Sequence, residues 1–264
     1  MSSLLYNRIG DGYNQTRKAD PYISKRIMHF LSAEPGNKYL DMGCGTGNYT
    51  AALAETGIEF WGVEPSPKML KEASRQHKNI KWVLGSAENI PLSDDFFDGC
   101  LATLTIHHWP NLKKGFVEIS RVLKTSSRFV IFTSTPDQMK GYWLNHYFPE
   151  MMAESIRKMP SRNEIRLAAA GASYAPAGEE SYDAQADLQD LFLYSGKHRP
   201  ELYLDENIRK GISSFASFLN SAERDRGLKR LRKDVQSGEI KAITGEFENP
   251  LGDYLFMCFE SNKR

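Results

Sequence analysis

The feature that most constrains this chain is a glycine-rich turn between a short apolar run and a helical pattern, in residues 38–54. Gly43, Gly45 and Gly47 alternate with other residues shortly after Asp41. Glycines spaced in this way at the carboxyl end of a strand remove Cβ atoms where a ligand must approach the backbone, and the following helix presents free N–H groups. The segment therefore predicts strand, turn and helix, with a flat, polar ligand bound at the turn.

The spacing of the glycines narrows the class of ligand. It is G-x-G-x-G rather than the G-x-G-x-x-G of dinucleotide sites, and the sequence contains no G-x-x-x-x-G-K-[ST] phosphate loop. Phosphate binding is therefore disfavoured. A second apolar run, residues 58–63, ends at Glu64, about twenty residues after the first. A carboxylate in that position can accept hydrogen bonds from both hydroxyls of a ribose.

Two further apolar runs bring polar groups to the same region. Residues 80–84 lead into the turn 86–88, and residues 96–104 lead into His107 and His108. The carboxyl ends of parallel strands meet at one edge of a sheet, and ligands bind outside that edge where the strand order reverses. We therefore expect the four strand ends to form one site.

The pattern up to about residue 136 is that of an α/β protein. Helical patterns over residues 22–33 and 112–123 alternate with the apolar runs, and residues 129–133 form a fifth run. This alternation predicts a parallel sheet with helices on both faces. The periodicity is less regular afterwards, until residues 253–259 indicate a buried strand.

These motifs resemble those of the class I S-adenosylmethionine (SAM) dependent methyltransferases, most closely the type 11 group that also contains the ubiquinone and menaquinone methyltransferases. The resemblance covers residues 1–135 well and the remainder poorly. It implies a Rossmann-like, seven-stranded, mostly parallel sheet with helices on both faces, and SAM as the cofactor. It also implies a SAM-binding core with an N-terminal segment in residues 1–136, a helical cap and substrate-side insertion in 137–238, and a return strand that completes the sheet in 239–264.

The resemblance assigns cofactor contacts to particular residues. Asp41 and the Gly43 backbone would hold the methionine ammonium, Glu64 would take the ribose hydroxyls, and the turn 86–88 would lie at the edge of the adenine. Many relatives have Asp where this chain has Ser86. The predicted cofactor-binding residues are Tyr13, Arg17, Asp41, Gly43, Cys44, Gly45, Glu64, Pro65, Met69, Ser86, Ala87, Glu88 and Leu104.

Three of these positions carry specific expectations. In the family the N-terminal segment folds over the cofactor, so Tyr13 would cover it and Arg17 would pair with its carboxylate, a role that suits a bidentate guanidinium. The alternative for Arg17 is to cap a surface helix. Cys44 is interpreted as a small apolar filler and not as a nucleophile. The family's Leu-Lys-Pro-Gly-Gly turn before the fifth strand appears here as Leu-Lys-Thr-Ser-Ser, residues 123–127.

His107 and His108 are the candidate catalytic residues. They follow the fourth strand, where the transferred methyl would point, and an imidazole titrates near neutral pH. A base is needed only if the acceptor arrives protonated. Because adjacent residues on an extended segment point in opposite directions, we expect one of the two rings to face the acceptor and the other to be structural.

The acceptor is expected to be a small molecule. The chain has no Asn/Asp-Pro-Pro-Tyr/Phe motif after the fourth strand, no Pro-Cys nucleophile and no cysteine triad, and its net charge is only +1. These features disfavour nucleic-acid bases as substrates, and they disfavour membership of the arsenite methyltransferase branch of the family. The cluster of Lys and Arg side chains in residues 229–233 is interpreted as a solvated helix face and not as a nucleic-acid-binding patch. The remaining prediction is methyl transfer to an O, N or C atom of a small, partly apolar metabolite. No metal is expected in the site.

The region after the fifth strand and the cell location complete the sequence-based expectations. Aromatic and Met residues in 138–200 are expected to lie mostly in the core, with this region and Tyr13 closing as a lid over the substrates. Three separated cysteines and the absence of a secretion signal or a membrane-spanning run indicate a cytoplasmic protein without a membrane partner. The oligomeric state stays open. So do two alternatives, a non-catalytic SAM-binding sensor or partner subunit and a nucleotide-dependent oxidoreductase.

Overall fold

A computed structural model describes residues 16–247 and 249–263. The expected contribution of Tyr13 lies outside these residues. The strands are β1 (Lys38–Met42), β2 (Glu59–Glu64), β3 (Lys81–Leu84), β4 (Phe97–Thr103), β5 (Leu123–Thr133), β6 (Tyr174–Tyr182) and β7 (Tyr254–Ser261). The helices up to β6 are α1 (Pro21–Leu31), α2 (Asn48–Ala54), α3 (Pro67–Gln76), α4 (Leu112–Val122), α5 (Pro136–Lys140), α6 (Leu144–Tyr147), α7 (Pro149–Lys158) and α8 (Arg162–Gly171). After β6 follow α9 (Glu206–Gly211), α10 (Ser213–Ser217), α11 (Ser221–Ser237) and α12 (Ile240–Gly245). Two 3₁₀ turns, Ile106–His108 and Pro200–Leu204, lie between these elements.

The strands form one seven-stranded sheet in the order β3-β2-β1-β4-β5-β7-β6. Strands β1 to β5 pair in parallel, and β7 runs antiparallel to both of its neighbours. The predicted α/β class and mostly parallel seven-stranded sheet are thus confirmed. The strand order reverses between β1 and β4, so the glycine turn after β1 lies where ligands bind in open α/β sheets.

Local sequence explains where the helices around this edge begin. The Asp20 side chain accepts hydrogen bonds from the backbone N–H groups of Tyr22 and Ile23, which caps α1. Ser66 caps α3 in the same way by accepting the N–H of Met69. Each helix has a proline in its first turn, where the missing N–H costs nothing. Both helix starts are therefore fixed by adjacent residues.

The sheet is covered on both faces. Helices α1 and α2 pack on one face together with the segments after β5, and α4 and α8 pack on the other. Of the twelve aromatic and Met side chains in residues 138–200, eleven are buried and Met159 is partly buried. Within that region Tyr142 and Tyr194 stack with ring centroids 3.8 Å apart.

Strand β6 was not predicted from the sequence. It lies in the range 137–238, so that range contains the edge strand of the core sheet as well as helices. Its pairing with β7 shifts register between Pro176 and Gly178. Proline and glycine are poor strand formers that edge strands and bulges tolerate, and they obscured the strand pattern.

Strand β5 begins earlier than expected. Residues 123–127, expected to form a turn, belong to the strand, and Leu123 pairs with Phe97 before the register shifts. Ser126 has a positive φ of 61° in this stretch. The polar residues therefore form an irregular strand start rather than a separate turn.

None of the helices in the described ranges is long and apolar enough to cross a membrane.

Gly227 of α11 provides a test of the packing of the cap. A Cβ at this position would lie 2.4 Å from a Phe148 ring carbon and 2.5 Å from the Tyr147 carbonyl oxygen. Gly227→Ala should therefore lower the free energy of unfolding by about 1–3 kcal/mol through overpacking, although alanine is the better helix former. Urea denaturation measures this change.

The matched control is Gly245→Ala at the end of α12, where a Cβ meets nothing within 4 Å. That substitution should raise the free energy of unfolding by about 0.4–1 kcal/mol, because it lowers the entropy of the unfolded chain. Equal effects of the two substitutions would contradict the described packing of α11 on α6.

Candidate active site

The glycine turn leaves its backbone open at the carboxyl end of β1. Gly43, Gly45 and Gly47 have φ values of 77°, 59° and 82°, a region that other residues enter only with strain. A Cβ on Gly43 would overlap the Thr105 side chain and one on Gly47 would overlap Trp82. At Gly45 a Cβ would meet only the Met69 sulfur, at 3.6 Å. The space beside Gly45 is therefore open to a ligand, while the other two glycines are required by packing.

Glu64 joins the end of β2 to the glycine turn. Its carboxylate accepts the Gly45 N–H at 3.0 Å and the Ser66 N–H at 2.9 Å. The side chain is only 6% exposed, and burial raises its pKa although these two hydrogen bonds oppose the rise. A carboxylate has about four lone-pair sites, so acceptor capacity remains for ribose hydroxyls.

Asp41 is the second buried acid of the site. Its carboxylate accepts a 2.6 Å hydrogen bond from the Thr50 hydroxyl. Burial raises the pKa of Asp41 to about 7, which the Thr50 bond opposes and the Glu64 charge reinforces. The Gly43 N–H donates to the Val63 carbonyl at 2.8 Å. Because an ammonium is itself a donor, it could bind the Gly43 backbone only at the carbonyl oxygen. A cation placed beside Asp41 would favour the charged carboxylate.

The same two acids determine the state of Cys44. Burial raises the pKa of its thiol well above the usual value, and the charges of Asp41 and Glu64 raise it further. The thiol therefore stays protonated and is a poor nucleophile. This agrees with its interpretation as a filler within the turn.

The proposed nucleoside side is formed by α3 and the turn after β3. Met69 is buried beside Gly45, and Pro65 is exposed at the end of β2. Ser86 and Asn89 form an isolated bridge across the turn, in which Ala87 is buried. These residues lie next to Glu64, because the Gly85 N–H donates to the Glu64 carbonyl at 3.2 Å.

Glu88 is directed away from the rest of this turn. Its carboxylate accepts the Asn111 N–H at 3.1 Å, just before α4. Its expected contact with adenine would therefore compete with an existing hydrogen bond. The Ser86 hydroxyl and the backbone of the turn stay the predicted contacts for a planar base.

The two histidines lie together. They occupy the 3₁₀ turn Ile106–His108, and their ring centroids are 3.9 Å apart. The expectation that they point in opposite directions is wrong, because the segment is a helical turn and not an extended chain. Leu104, directly after β4, has a φ of 53°, an uncommon value for a leucine. This bend turns the chain into the histidine segment.

The histidines are neutral at pH 7. Burial, together with the charges of Lys158 and Arg17, lowers the pKa of His107 to about 4. Burial also lowers the pKa of His108, with contributions from His107 and Lys158. Within the described contacts the buried His107 Nδ1 has no hydrogen-bond partner. Because buried polar atoms are nearly always hydrogen-bonded, this nitrogen is a candidate partner for an acceptor molecule.

Arg17 has a partner that the sequence did not indicate. Its Nε and Nη2 atoms bind the two carboxylate oxygens of Asp190, a buried residue in the segment between β6 and the second 3₁₀ turn. Neither expected role, pairing with the cofactor carboxylate or capping a surface helix, describes these contacts. A cofactor carboxylate would have to share or replace Asp190.

Other residues of the site were also missed from the sequence. Thr50 lies nine positions after Asp41, a spacing that a strand-turn-helix unit brings back to the strand end, so it could have been found. Thr105 packs on Gly43, and Lys158 at the end of α7 influences both histidines. Nothing in the local pattern marks Lys158 or Asp190, because only the tertiary structure brings them near the site.

Two open clefts lie away from this edge. One, of about 330 Å³, is lined by residues such as Asp98 near the start of β4 and Arg128 within β5. The other, of about 390 Å³, is lined by residues that include Arg121 and Lys263. Neither contains a candidate site residue among the described positions.

Within residues 16–247 and 249–263, no group of three or more His, Cys, Asp or Glu side chains is placed to hold a metal ion.

Comparison with known proteins identifies this arrangement. A family model described as a methyltransferase domain matches residues 40–131. The chain is 30% identical over 135 residues to demethylmenaquinone methyltransferase of Tropheryma whipplei (strain Twist), a match that covers 48% of this chain and 56% of the relative. The chain thus spans little more than half the length of that relative.

Solved structures extend the similarity over most of the chain. A structure from Anabaena variabilis ATCC 29413, described as a candidate methyltransferase from an antibiotic biosynthesis pathway, is 34% identical with a TM-score of 0.84. That match covers 94% of this chain and 99% of the other. The chain therefore belongs to the class I SAM-dependent methyltransferases, in the type 11 group.

A more distant structure shares the fold alone. Geranyl diphosphate C-methyltransferase from Streptomyces coelicolor A3(2), solved with Mg²⁺, geranyl-S-thiolodiphosphate and S-adenosyl-L-homocysteine (SAH), is 15% identical with a TM-score of 0.56. The match covers 90% of this chain and 75% of that one.

The open backbone at Gly45 and the buried acids Asp41 and Glu64 fit the cationic, ribose-bearing cofactor of the family.

Glu64→Ala should weaken SAM binding by about 10- to 100-fold, because charge-assisted hydrogen bonds contribute roughly 1.5–3 kcal/mol each. The matched control is Glu59→Ala at the exposed, opposite end of β2. Titration calorimetry should give that control the affinity of the unmodified protein. Unchanged SAM affinity in Glu64→Ala would remove Glu64 from the cofactor site.

Gly45→Ala tests whether the open backbone receives the ligand. The substitution should weaken SAM binding at least about tenfold, which corresponds to 1.4 kcal/mol, while circular dichroism shows a retained fold. Gly57→Ala is the control, because Gly57 has a φ of 85° and open space around it, away from the turn. Both variants carry backbone strain, so an equal loss of SAM affinity would show that strain and not ligand contact is responsible.

The raised pKa of Asp41 predicts that cofactor binding depends on pH. The ammonium of the cofactor favours the charged carboxylate, which forms as pH rises through about 7. SAH affinity should therefore increase about 5- to 10-fold between pH 6 and pH 7.5. Asp41→Asn should bind more weakly and lose this dependence. If calorimetry gives the unmodified protein the same SAH affinity at both pH values, Asp41 does not bind the ammonium.

Proposed function

We propose that this protein transfers the methyl group of SAM to an O, N or C atom of a small, partly apolar metabolite. The observation that carries the proposal is the contact between the two halves of the site. Thr105, just before the histidine turn, packs directly on Gly43 of the cofactor turn. An acceptor beside His107 would therefore lie next to a cofactor held by Gly45 and Glu64.

Positioning supplies most of the catalysis in this proposal. The chemistry that SAM supplies is an electrophilic methyl group on a sulfonium, so the protein has to hold the acceptor atom in line with it. Such alignment can reduce a barrier by about 7–11 kcal/mol. The residues of the turn would hold the cofactor, the histidine turn would face the acceptor, and the cap in 137–238, apart from β6, would exclude water.

His107 is the better candidate of the two histidines for contact with the acceptor. Among the residues that the structure describes, its buried Nδ1 has no hydrogen-bond partner, and the ring is neutral at pH 7. A neutral imidazole can accept a hydrogen bond from a hydroxyl or an amine of the acceptor. With a pKa of about 4 the ring is a weak base. It would therefore remove a proton only from an acidic acceptor, or as the methyl group is transferred.

Two observations support the class of acceptor. The nearby charges of Lys158 and Arg17 favour an acceptor group that carries or develops negative charge. The name of one similar protein, demethylmenaquinone methyltransferase, refers to a substrate with a large apolar part. The proposal places the reaction in the cytoplasm, with a small molecule as partner, which the free thiols of Cys44, Cys100 and Cys258 support.

The test is an assay of methyl-labelled SAM against fractionated metabolite pools. The expected result is label transfer to a small organic molecule, lost in Glu64→Ala and reduced at least about tenfold in His107→Ala, the range of a contribution from general base catalysis. SAM binding without transfer to any fraction would indicate a non-catalytic sensor. A thermal shift with NAD and none with SAM would indicate an oxidoreductase.

A further inference from the structure

Four residues connect the cofactor turn to the segment 184–199 of the cap. We define Arg17, Asn48, Tyr49 and Asp190 as the Arg17 junction. The Asn48 amide, at the start of α2, donates to the Arg17 carbonyl at 2.6 Å and to the Thr46 hydroxyl at 3.3 Å. The Arg17 guanidinium binds Asp190 through two nitrogens. One side of Arg17 is thus held by the cofactor turn and the other by the cap.

The contacts around the junction are buried. Asp190 is 1% exposed and Tyr49 is 8% exposed. The Tyr49 hydroxyl, also on α2, donates to the Asp190 carboxylate at 3.3 Å and accepts the Asp20 N–H at 3.4 Å. The carboxylate of Asp190 therefore interacts with groups from both α2 and the N-terminal segment.

Backbone hydrogen bonds align the same segments. The Leu191 N–H donates to the Thr16 carbonyl at 2.9 Å, and the Gln189 N–H donates to the Asp20 carboxylate at 3.2 Å. Residues 16–20 therefore form a bridge between the glycine turn and residues 189–191. A small displacement of the turn would be carried to the cap, because a buried charged pair stretches only at high cost.

We infer that Asp190 and Tyr49 are positioning residues that act through Arg17, so that occupation of the cofactor site determines how firmly the cap segment 184–199 is held. This inference rests on the proposed function, which places the cofactor at the glycine turn. The cofactor would restrain Thr46 and Asn48, and Asn48 would fix the Arg17 backbone. The guanidinium would then hold Asp190, and with it the cap segment 184–199. Binding of the cofactor therefore prepares the acceptor side.

The experiment is hydrogen exchange of the full chain with and without SAH, which requires no knowledge of the acceptor. In the unmodified protein SAH should slow exchange in residues 184–199 by about 5-fold or more, the lower range for coupling between sites. Asp190→Asn and Tyr49→Phe should still bind SAH, with the response of this segment reduced below about twofold. Tyr49→Phe removes only one hydroxyl, which guards against a variant that does not fold.

Asp253→Asn is the matched control. Asp253 is a buried aspartate that binds Lys197 at 2.7 Å and the Ala184 N–H at 2.7 Å, both in the same cap segment, but outside the junction. Its replacement should raise the exchange of 184–199 with and without SAH, and leave the response to SAH intact. Loss of stability alone therefore cannot imitate the expected result.

Three outcomes would overturn the inference. These are SAH binding without any change in 184–199, a full response in both junction variants, and an equal loss of the response in Asp253→Asn. The proposed function has a separate failure. If the unmodified protein does not bind SAH, the cofactor assignment fails, and this inference fails with it.

Discussion

The hydrogen bond from the Gly45 N–H to the Glu64 carboxylate is the interaction on which the site depends. It joins the ends of β1 and β2 and fixes a turn in which three glycines hold positive φ. Because a side chain at Gly43 or Gly47 would overlap a neighbour, the turn has little freedom to adopt another path. The exposed backbone at Gly45 is thus a consequence of a rigid frame. A preorganised surface of this kind lowers the ordering cost of binding.

Buried negative charge is the second organising property of the site. Asp41 and Glu64 lie close enough for the charge of one to raise the pKa of the other, and both are largely removed from water. Keeping two such carboxylates charged is unfavourable unless a cation or hydrogen-bond donors compensate them. A ligand with an ammonium, a sulfonium and ribose hydroxyls offers both. The histidine turn after the neighbouring strand β4 carries no negative charge. Its rings are neutral, and the positive charges of Lys158 and Arg17 act on them.

The parts of this structure that depend on local chemistry were predictable from the sequence. The glycine turn, Glu64 at the end of β2 and the alternation of strands and helices all follow from residue spacing within about thirty positions. Strand β6 was not predicted, because Pro176 and Gly178 weaken its pattern and pairing with β7 supplies its stability. The histidine rings were misplaced for a related reason. Their position follows from the bend at Leu104, and no residue type signals that bend.

The partner of Arg17 shows where sequence reasoning ends. Asp190 lies 173 positions further along the chain, in an irregular segment whose place is set by the packing of the cap and not by its own pattern. The cofactor half of the site is built from contiguous units that many chains can share, because they bind one common ligand. The contact of Arg17 with Asp190 instead joins distant parts of the chain, and contacts of this kind differ whenever the cap differs. If the cap forms the acceptor side as proposed, acceptor specificity in this protein has to be sought in the cap and in its junction with the glycine turn.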